Sequence, residues 1–182
     1  MVWLTRFTHS RGFGVQSPTA YRFLRYVVNE HYPYYAYDDM MKSVPELDNR
    51  RRKLCRLYFR IANFRQAGKW LIYGEDSDAY AKYIKAGSNK SVFVSCVEDG
   101  ETVEAALIST RANYKSVYEE IVAHSDEKTI LVIQHIKRNP LTRMFWNNIV
   151  SDQRTGITFD LYYCGIVMFD KKVHKQNYKV NF

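Results

Sequence analysis

The sequence has no long apolar run, few cysteines and little proline or glycine. No stretch of about eighteen apolar residues occurs, so we expect no membrane-spanning helix. The three cysteines are Cys55, Cys96 and Cys164, and their odd number and wide spacing argue against a disulfide framework or a zinc knuckle. The first residues carry charge and glycine too early for a signal peptide, and we therefore expect a cytoplasmic protein.

The scarcity of glycine (eight) and proline (four) argues against long flexible linkers within the 182 residues. The chain has no internal repeat, and its length predicts one domain over residues 1–182, with a helical portion at 1–68 and an α/β portion at 69–182. Negative charge is in deficit, because 27 lysines and arginines outnumber 19 acidic residues and give a net charge of +8. This balance suits an anionic ligand, an anionic surface or nucleic acid as a partner.

Apolar residues recur at helical spacing in the first portion of the chain. Ser17 followed by Pro18 predicts a helix start, because serine caps helix N-termini and proline suits the first helical position. A second helix is predicted from Asn49 to about Gln66, with Gly68 closing it. Between the two helices lie four tyrosines, which we expect to pack the chain and which could alternatively line a ligand pocket. They are Tyr32, Tyr34, Tyr35 and Tyr37.

The second predicted helix is strongly basic. Its cations are Arg50, Arg51, Arg52, Lys53, Arg56, Arg60 and Arg65. Arg52, Arg56 and Arg60 lie four residues apart and therefore share one helix face. We favour a solvated helix face over a site for an anionic ligand or a protein partner at Arg50 to Arg65, since charge runs on helices are usually solvated. Nucleic acid is the weakest of these possibilities, because no RNP-like or zinc-finger motif accompanies the cations.

Strands and helices alternate in the second portion of the chain. Apolar runs predict buried strands at 70–73, 91–96 and 129–135. Helical spacing predicts helices at 76–86, 101–110 and 114–124, and a further helix at 141–149. Three more strands without intervening helices follow at 157–162, 165–169 and 178–182. This pattern predicts a three-layer α/β sandwich, in which a mainly parallel sheet ends in antiparallel C-terminal strands.

Two stretches at the ends of the chain carry recognisable motifs. The first is RGFGVQSPTAYRFL at 11–24, and the second, at 129–182, contains TILVIQHI, MFWNNI, TFDLYYCGIVMF and KQNYKVNF. Both resemble a family of small bacterial chains described as class I S-adenosylmethionine-dependent methyltransferases, whose opening reads G-x-G-V-H-S-P-F-x-Y/F. The resemblance covers about half of the chain. It implies a Rossmann-like fold of the class I methyltransferase type, here with a reduced strand count, and S-adenosylmethionine as the cofactor of an active member.

The resemblance also implies cofactor contacts at the turn after the first predicted strand. There the family has an acidic residue and a glycine-rich turn, E-x-G-x-x-x-G, in which glycine lets the backbone approach the cofactor. Here the stretch reads LIYGEDSDAYAKYI, which keeps Gly74 and lacks the later glycine. The implied cofactor residues are Gly74, Glu75 and Asp76, with Glu98 after the second strand for the ribose hydroxyls. The alternative for this turn is structural, with Asp76 capping the following helix.

The third predicted strand ends in Gln134 and His135, where the family has two aspartates. Paired carboxylates could bind a hard divalent cation, whereas glutamine and neutral histidine do so poorly, and we therefore expect no metal site. His135 is the candidate catalytic residue, as a general base near an acceptor oxygen or nitrogen. It could equally be part of a polar plug in a pocket that has lost its function.

Two main hypotheses for the function follow from these observations, and nucleic-acid binding is a weaker third. The first is an S-adenosylmethionine-dependent methyltransferase that uses His135 and the turn at Gly74. The second is a non-catalytic relative that binds a protein or an anionic ligand through the basic helix and the tyrosines. The missing second glycine, the missing ribose carboxylate and the missing paired aspartates favour the second hypothesis slightly.

Overall fold

Seven strands of the described chain form one sheet at the centre of the computed structural model. The structure describes residues 15, 17–75, 77–98, 100–172 and 174–182, so Asp76 and most of the N-terminal RGFGVQ motif lie outside the described residues. In chain order the strands are β1 (Lys69–Tyr73), β2 (Val92–Val94), β3 (Ala105–Ser109), β4 (Ile130–Gln134), β5 (Ile157–Asp160), β6 (Cys164–Met168) and β7 (Gln176–Lys179). In space their order is β2-β1-β3-β4-β6-β5-β7.

Most strand pairs in this sheet are parallel. β1 pairs with β2 and β3, and β3 pairs with β4, all in parallel. β6 lies between β4 and β5 and is antiparallel to both, and β7 closes the sheet parallel to β5. This arrangement confirms the mainly parallel sheet with antiparallel pairs among its C-terminal strands. It is a class I methyltransferase-like Rossmann fold.

Two hydrophobic clusters cover opposite faces of the sheet and make the fold three-layered. One face presents Trp70 and Leu107 to the helices of the N-terminal half. The other face presents Leu71 and Ile108 to the later helices, which contribute Phe145 among others. Successive strand residues point to opposite faces, so a strand that is covered on both sides must be apolar throughout. This explains why β3 and β4 are buried over their whole length.

Six α-helices are present in the described part of the chain. They are α1 (Pro18–Phe23), which continues into a π-helical segment (Leu24–Val28), α2 (Ala36–Ser43), α3 (Asn49–Arg65), α4 (Ser77–Gly87), α5 (Tyr114–Ala123) and α6 (Pro140–Ser151). Ser17 caps α1 as the sequence predicts, because its hydroxyl accepts a hydrogen bond from the Ala20 amide at 3.3 Å. None of these helices is long and apolar enough to cross a membrane.

The structure corrects the prediction at 101–110, where the expected helix is strand β3. The segment Ala105–Ser109 pairs with β1 on one side and with β4 on the other. Pairing with neighbouring strands therefore determines that this short apolar run is a strand, because periodicity alone does not distinguish a strand from a helix over so few residues. The end of α3 also differs from the prediction, since Gln66 rather than Gly68 takes the left-handed conformation, with a φ of 54°. Helix α2 was not expected from the sequence.

Helix α3 contacts both the core and the N-terminal segment. Its apolar stripe, which includes Leu57 and Ile61, is fully buried, and the helix packs against α4 and the π-helical segment. Asp48 caps its start by accepting a hydrogen bond from the Arg51 amide at 2.8 Å. Its basic face is turned toward the tyrosine-rich loop before α2, so these two features of the sequence face each other across a groove.

Candidate functional site

The carboxyl ends of β1, β3 and β4 meet at one edge of the sheet, because the three strands are parallel neighbours. Gly74 and Glu75 follow β1, Ser109 ends β3 and His135 follows β4. Together with Arg111, these residues form what we call the strand-end cluster. Ser109 Oγ lies 3.4 Å from His135 Nδ1, and Arg111 forms a 2.9 Å ion pair with Glu75. The structure therefore brings three of the predicted site residues together, at the edge where open α/β sheets bind ligands.

Gly74 has a structural role in this cluster that involves no ligand. Its φ of 133° lies outside the conformations that residues with a side chain adopt readily. A Cβ atom at this position would lie 2.5 Å from the Cβ of Ser109, far inside van der Waals contact. The neighbouring strand β3 therefore requires glycine here, and the side of Gly74 that a side chain would occupy is already filled.

His135 is held in an unusual backbone conformation at the end of β4. Its φ is 60°, in the left-handed region. The His135 amide donates to the Tyr163 carbonyl at 2.8 Å, and the Thr110 hydroxyl donates to the His135 carbonyl at 3.2 Å, so the conformation is fixed from both sides. Burial, together with the positive charges of Arg111 and Arg138, lowers the pKa of the imidazole below its ordinary value of 6.5. The ring is therefore neutral near about pH 7 and able to accept a proton.

The acidic residues predicted for cofactor binding differ in where they lie. Glu75 is exposed, and its charge is already paired with Arg111, which lowers the pKa of the carboxyl. Asp76 lies outside the described residues. Glu98 follows the end of β2, and its charge acts on Lys69 at the amino end of β1, opposite to the end that carries the strand-end cluster. No contact within the described residues joins Glu98 to that cluster.

Gln134 is buried in the core, where the resembling family has an aspartate. Its side-chain amide donates to the Tyr58 hydroxyl at 2.9 Å, and both side chains are buried. The pair joins β4 to α3 through the interior. Among the described residues, no group of three or more histidine, cysteine, aspartate or glutamate side chains could hold a metal ion.

The described residues at this edge of the sheet offer S-adenosylmethionine, the cofactor implied by the fold, a poor fit. The open side of Gly74 is filled by Ser109, and Glu75 is bound by Arg111. The described strand β2, Val92–Val94, contains no acidic residue that could hold ribose hydroxyls. The strand-end cluster thus has the position of a cofactor site, and its described residues are already engaged with one another.

A second candidate site is a groove of about 1630 Å³ between the N-terminal segment and α3, which we call the basic groove. Five cations line it: Arg25, Arg52, Lys53, Arg56 and Arg60. Six tyrosines also line it: Tyr21, Tyr26, Tyr32, Tyr34, Tyr35 and Tyr37. Two carboxylates, those of Glu30 and Asp38, oppose the positive charge. The described lining includes no member of the strand-end cluster, so the two sites are separate.

Two arginines of the basic groove have unsatisfied nitrogen atoms. Arg56 stacks its guanidinium on the Tyr37 ring, 4.9 Å from the ring centre, and makes no hydrogen bond or ion pair within the described residues. The Nε of Arg52 is likewise buried without a partner, although its Nη2 donates to the Leu47 carbonyl at 3.0 Å. A buried donor without an acceptor is unfavourable by about 1–3 kcal/mol, and by more for a charged group.

Arg60, one turn further along α3, is a buried cation with an exposed fraction of 7%. Its Nε donates to the Val27 carbonyl at 2.5 Å and its Nη1 to the Tyr37 hydroxyl at 3.4 Å. No carboxylate within the described residues pairs with it. Burial and the charge of Arg60 lower the pKa of Lys53. The expectation of a solvated helix face is therefore wrong for Arg60, and the basic groove carries an excess of positive charge.

The tyrosines of the basic groove divide into packed and exposed rings. Tyr37 is buried, and Tyr34 packs edge-on against Tyr37 and Phe59, with ring centres 5.4 Å and 5.0 Å apart. The expectation of packing is thus confirmed for these two tyrosines. Tyr32 and Tyr35, by contrast, are 58% and 89% exposed and present their rings to solvent beside the cations.

Sequence reasoning missed Ser109 and Arg111, which the structure places in the strand-end cluster. Both residues lie in or next to the segment 101–110, which was interpreted as a helix. A usable signal was present, because the apolar run AALI is followed by three polar residues, Ser109, Thr110 and Arg111. Tyr21 and Tyr26 were also missed as groove residues, since they lie in a helical segment and far from the basic helix in sequence.

Comparison with known proteins adds little to the fold assignment. No family model and no curated protein sequence matches the chain. Among solved structures, it is similar to the SAH-bound methyltransferase PaMTH1 of Podospora anserina, with 12% sequence identity over 85% of this chain and 96% of that chain, and a TM-score of 0.49. An overlap at this level carries no argument about function. The fold assignment rests on the order and pairing of the strands.

Proposed function

We propose that this chain uses a methyltransferase-like fold to bind an anionic ligand in the basic groove, and that it does not transfer methyl groups. The observation that carries the proposal is the arrangement of Arg52, Arg56 and Arg60. These three guanidinium groups come from successive turns of α3 and line one groove. The described residues provide no carboxylate partner for any of them.

Unpaired cations gathered in one place are unfavourable unless a ligand neutralises them. Arg60 is buried, and burying a charge without an opposite charge destabilises the folded state. Arg52 and Arg56 keep buried Nε atoms that lack an acceptor. An anion bound in the groove would offset the positive charge of these guanidinium groups, and hydrogen bonds between charged partners are about twice as strong as neutral ones. The groove is therefore better matched to a bound phosphate or carboxylate than to water.

The strand-end cluster supports the non-catalytic half of the proposal. The polar groups at this edge are engaged with one another, as Arg111 pairs with Glu75 and Ser109 contacts His135. His135 keeps the neutral imidazole that a general base needs, but the ring's hydrogen-bond partner within the described residues is Ser109 and not a carboxylate. The cluster is explained by the packing of three strand ends.

Titration calorimetry with inorganic tripolyphosphate tests the binding site. We expect the wild-type protein to bind and its affinity to fall as the salt concentration rises. Arg56→Gln should weaken binding by about 10- to 100-fold, because a hydrogen bond to a charged group contributes about 1.5–3 kcal/mol. Arg143→Gln, an exposed change on α6 outside the groove, is the matched control and should bind like the wild type. An equal loss in the two variants, or no heat with the wild type, would contradict the proposal.

Titration with S-adenosylmethionine and S-adenosylhomocysteine tests the alternative, an active methyltransferase that uses His135. We expect no heat, and no rise in Tm at about millimolar cofactor, because a ligand that binds the folded state at that concentration would stabilise it. A dissociation constant in the micromolar range would overturn the non-catalytic half of the proposal. It would leave the tripolyphosphate result standing as evidence for a separate anion site.

A further inference from the structure

We infer that the anionic ligand of the basic groove is a single-stranded nucleic acid, whose phosphates contact the arginines of α3 and whose bases stack on the exposed tyrosines. The inference rests on the proposed function, because it names the ligand class of the same groove. It is carried by the length of the cation row and by the exposed aromatic rings beside it.

The basic groove is larger than a site for a small anion. Its volume of about 1630 Å³ exceeds the roughly 300–1,000 Å³ of typical small-molecule sites. Arg52, Arg56 and Arg60 follow one another at about 6 Å along the axis of α3, so they form a row about 12 Å long. A row of cations along a groove matches a chain of phosphates better than a single phosphate.

Exposed aromatic rings lie beside this row. Tyr26, Tyr32 and Tyr35 line the groove and are 52%, 58% and 89% exposed. They come from three places, namely the π-helical segment, the loop after it and the residue that precedes α2. The Tyr32 ring is held by an edge-on contact with the Tyr34 ring, whose centre is 5.1 Å away. Because every base has a flat face, rings presented in this way can stack on bases of any sequence.

Other polyanions fit the groove less well. An acidic peptide supplies carboxylates but no regular series of flat faces for the tyrosines. The phosphates of a duplex lie on a rigid cylinder, whereas Arg52 and Arg56 are half-buried in a concave groove that a flexible single strand can enter. Of the two carboxylates in the lining, Glu30 accepts a hydrogen bond from the Tyr32 amide at 2.7 Å, and Asp38 lies in the first turn of α2. Five cations outnumber them, so the groove remains positive.

Fluorescence anisotropy with a labelled oligothymidylate of about twelve nucleotides tests the inference. We expect binding by the wild-type protein, with a logarithm of affinity that falls linearly with the logarithm of salt concentration. Tyr35→Ala should weaken binding by about 5- to 100-fold, which is the usual contribution of one stacked base. Tyr35→Phe, which keeps the flat ring, is the matched control and should bind like the wild type. Arg56→Gln should weaken binding and reduce the salt dependence.

Comparing the binding of tripolyphosphate with that of the oligonucleotide separates the failure of this inference from the failure of the proposed function. In one outcome tripolyphosphate binds at Arg56 while the oligonucleotide binds no more tightly than tripolyphosphate, and in another it binds at Arg56 while Tyr35→Ala leaves the affinity for the oligonucleotide unchanged. Either result would support the anion site in the groove and contradict the nucleic-acid inference. Binding of the matching duplex as tight as that of the single strand would also overturn it. If neither tripolyphosphate nor the oligonucleotide binds, both the inference and the proposed function fall.

Discussion

Replacing Gly74 with alanine tests whether this glycine serves the neighbouring strand or a cofactor. The backbone φ of 133° should make alanine unfavourable by about 1–3 kcal/mol through conformational strain. The overlap of the new Cβ with the Cβ of Ser109, 2.5 Å away, should add about 1–3 kcal/mol. We therefore expect the free energy of unfolding to fall by roughly 2–6 kcal/mol, a large part of the about 5–15 kcal/mol that stabilises a typical domain.

A second substitution separates these two contributions. Ser109→Gly removes the Cβ atom that the alanine would meet, and the remaining Ser109 atoms, N and Cα, would lie at 3.4 Å and 3.6 Å, which is ordinary contact. By itself this change also removes the hydroxyl that accepts a hydrogen bond from the Arg111 amide at 3.3 Å. In the double variant the alanine should cost only the backbone strain. The coupling energy between the two positions should therefore be about 1–3 kcal/mol in favour of the double variant.

Urea unfolding of the wild type, the two single variants and the double variant gives the four free energies of this cycle, and unchanged m-values would show that the denatured state is not altered. Gly68→Ala is a control with a milder contact, because its Cβ would lie 3.3 Å from the carboxylate of Glu104, which would have to move by only a few tenths of an ångström. An alanine at position 74 that costs the same in both backgrounds would refute the contact with Ser109. A loss below about 0.5 kcal/mol, the range of neutral surface changes, would refute the requirement for glycine altogether.

Three further substitutions test the core and the strand end. Gly87→Ala should destabilise the protein by about 1–3 kcal/mol in thermal unfolding, despite the better helix propensity of alanine, because the new Cβ would overlap the backbone carbonyl of Phe59; a higher Tm would contradict this close approach of α4 to α3. His135→Asn keeps a residue that tolerates the left-handed conformation and removes the titrating ring. The lowered pKa of His135 means that the unfolded chain binds a proton on this imidazole more readily than the folded protein does. The free energy of unfolding of the wild type should therefore fall as the pH drops from about 7 to about 5.5, and urea titrations should show a smaller fall for the variant. An equal pH dependence of the two proteins would argue against the lowered pKa. Gln134→Leu should lower the free energy of unfolding by about 1–3 kcal/mol, since it leaves the buried Tyr58 hydroxyl without a partner. Adding Tyr58→Phe should restore part of this loss in the same urea assay. If the double variant is no more stable than Gln134→Leu alone, the two side chains are not coupled.

Local patterns predicted the elements whose structure depends on residues close in sequence. The start of α1 is one example, because Ser17 and Pro18 satisfy the needs of a helix N-terminus by themselves. The apolar run of β4 is another, since a strand covered on both faces must be apolar throughout. The antiparallel pairs among the C-terminal strands were expected from the hairpin pattern and from the resemblance of the closing motifs to class I methyltransferases.

The elements that were missed depend on partners far away in the chain. The apolar run of strand β3 is too short for its pattern to distinguish a strand from a helix. Its pairing with β1 and β4 makes it a strand. The place of Glu98 likewise depends on a distant segment, because the chain after β2 returns to the amino edge of the sheet to begin β3, and the charge of Glu98 acts there on Lys69. Neither outcome is encoded in a local pattern of residues.

The sequence by itself determined the class of fold, the positions of Gly74 and His135 at strand ends, and the basic face of α3. Only the tertiary structure decided what those residues touch. Ser109 of β3 fills the open side of Gly74, and exposed rings such as Tyr35 line the same basic groove as Arg56. The physical reason is that strand pairing and helix packing bring together segments that are distant in the chain, and the spacing of residues along a sequence does not contain those distances.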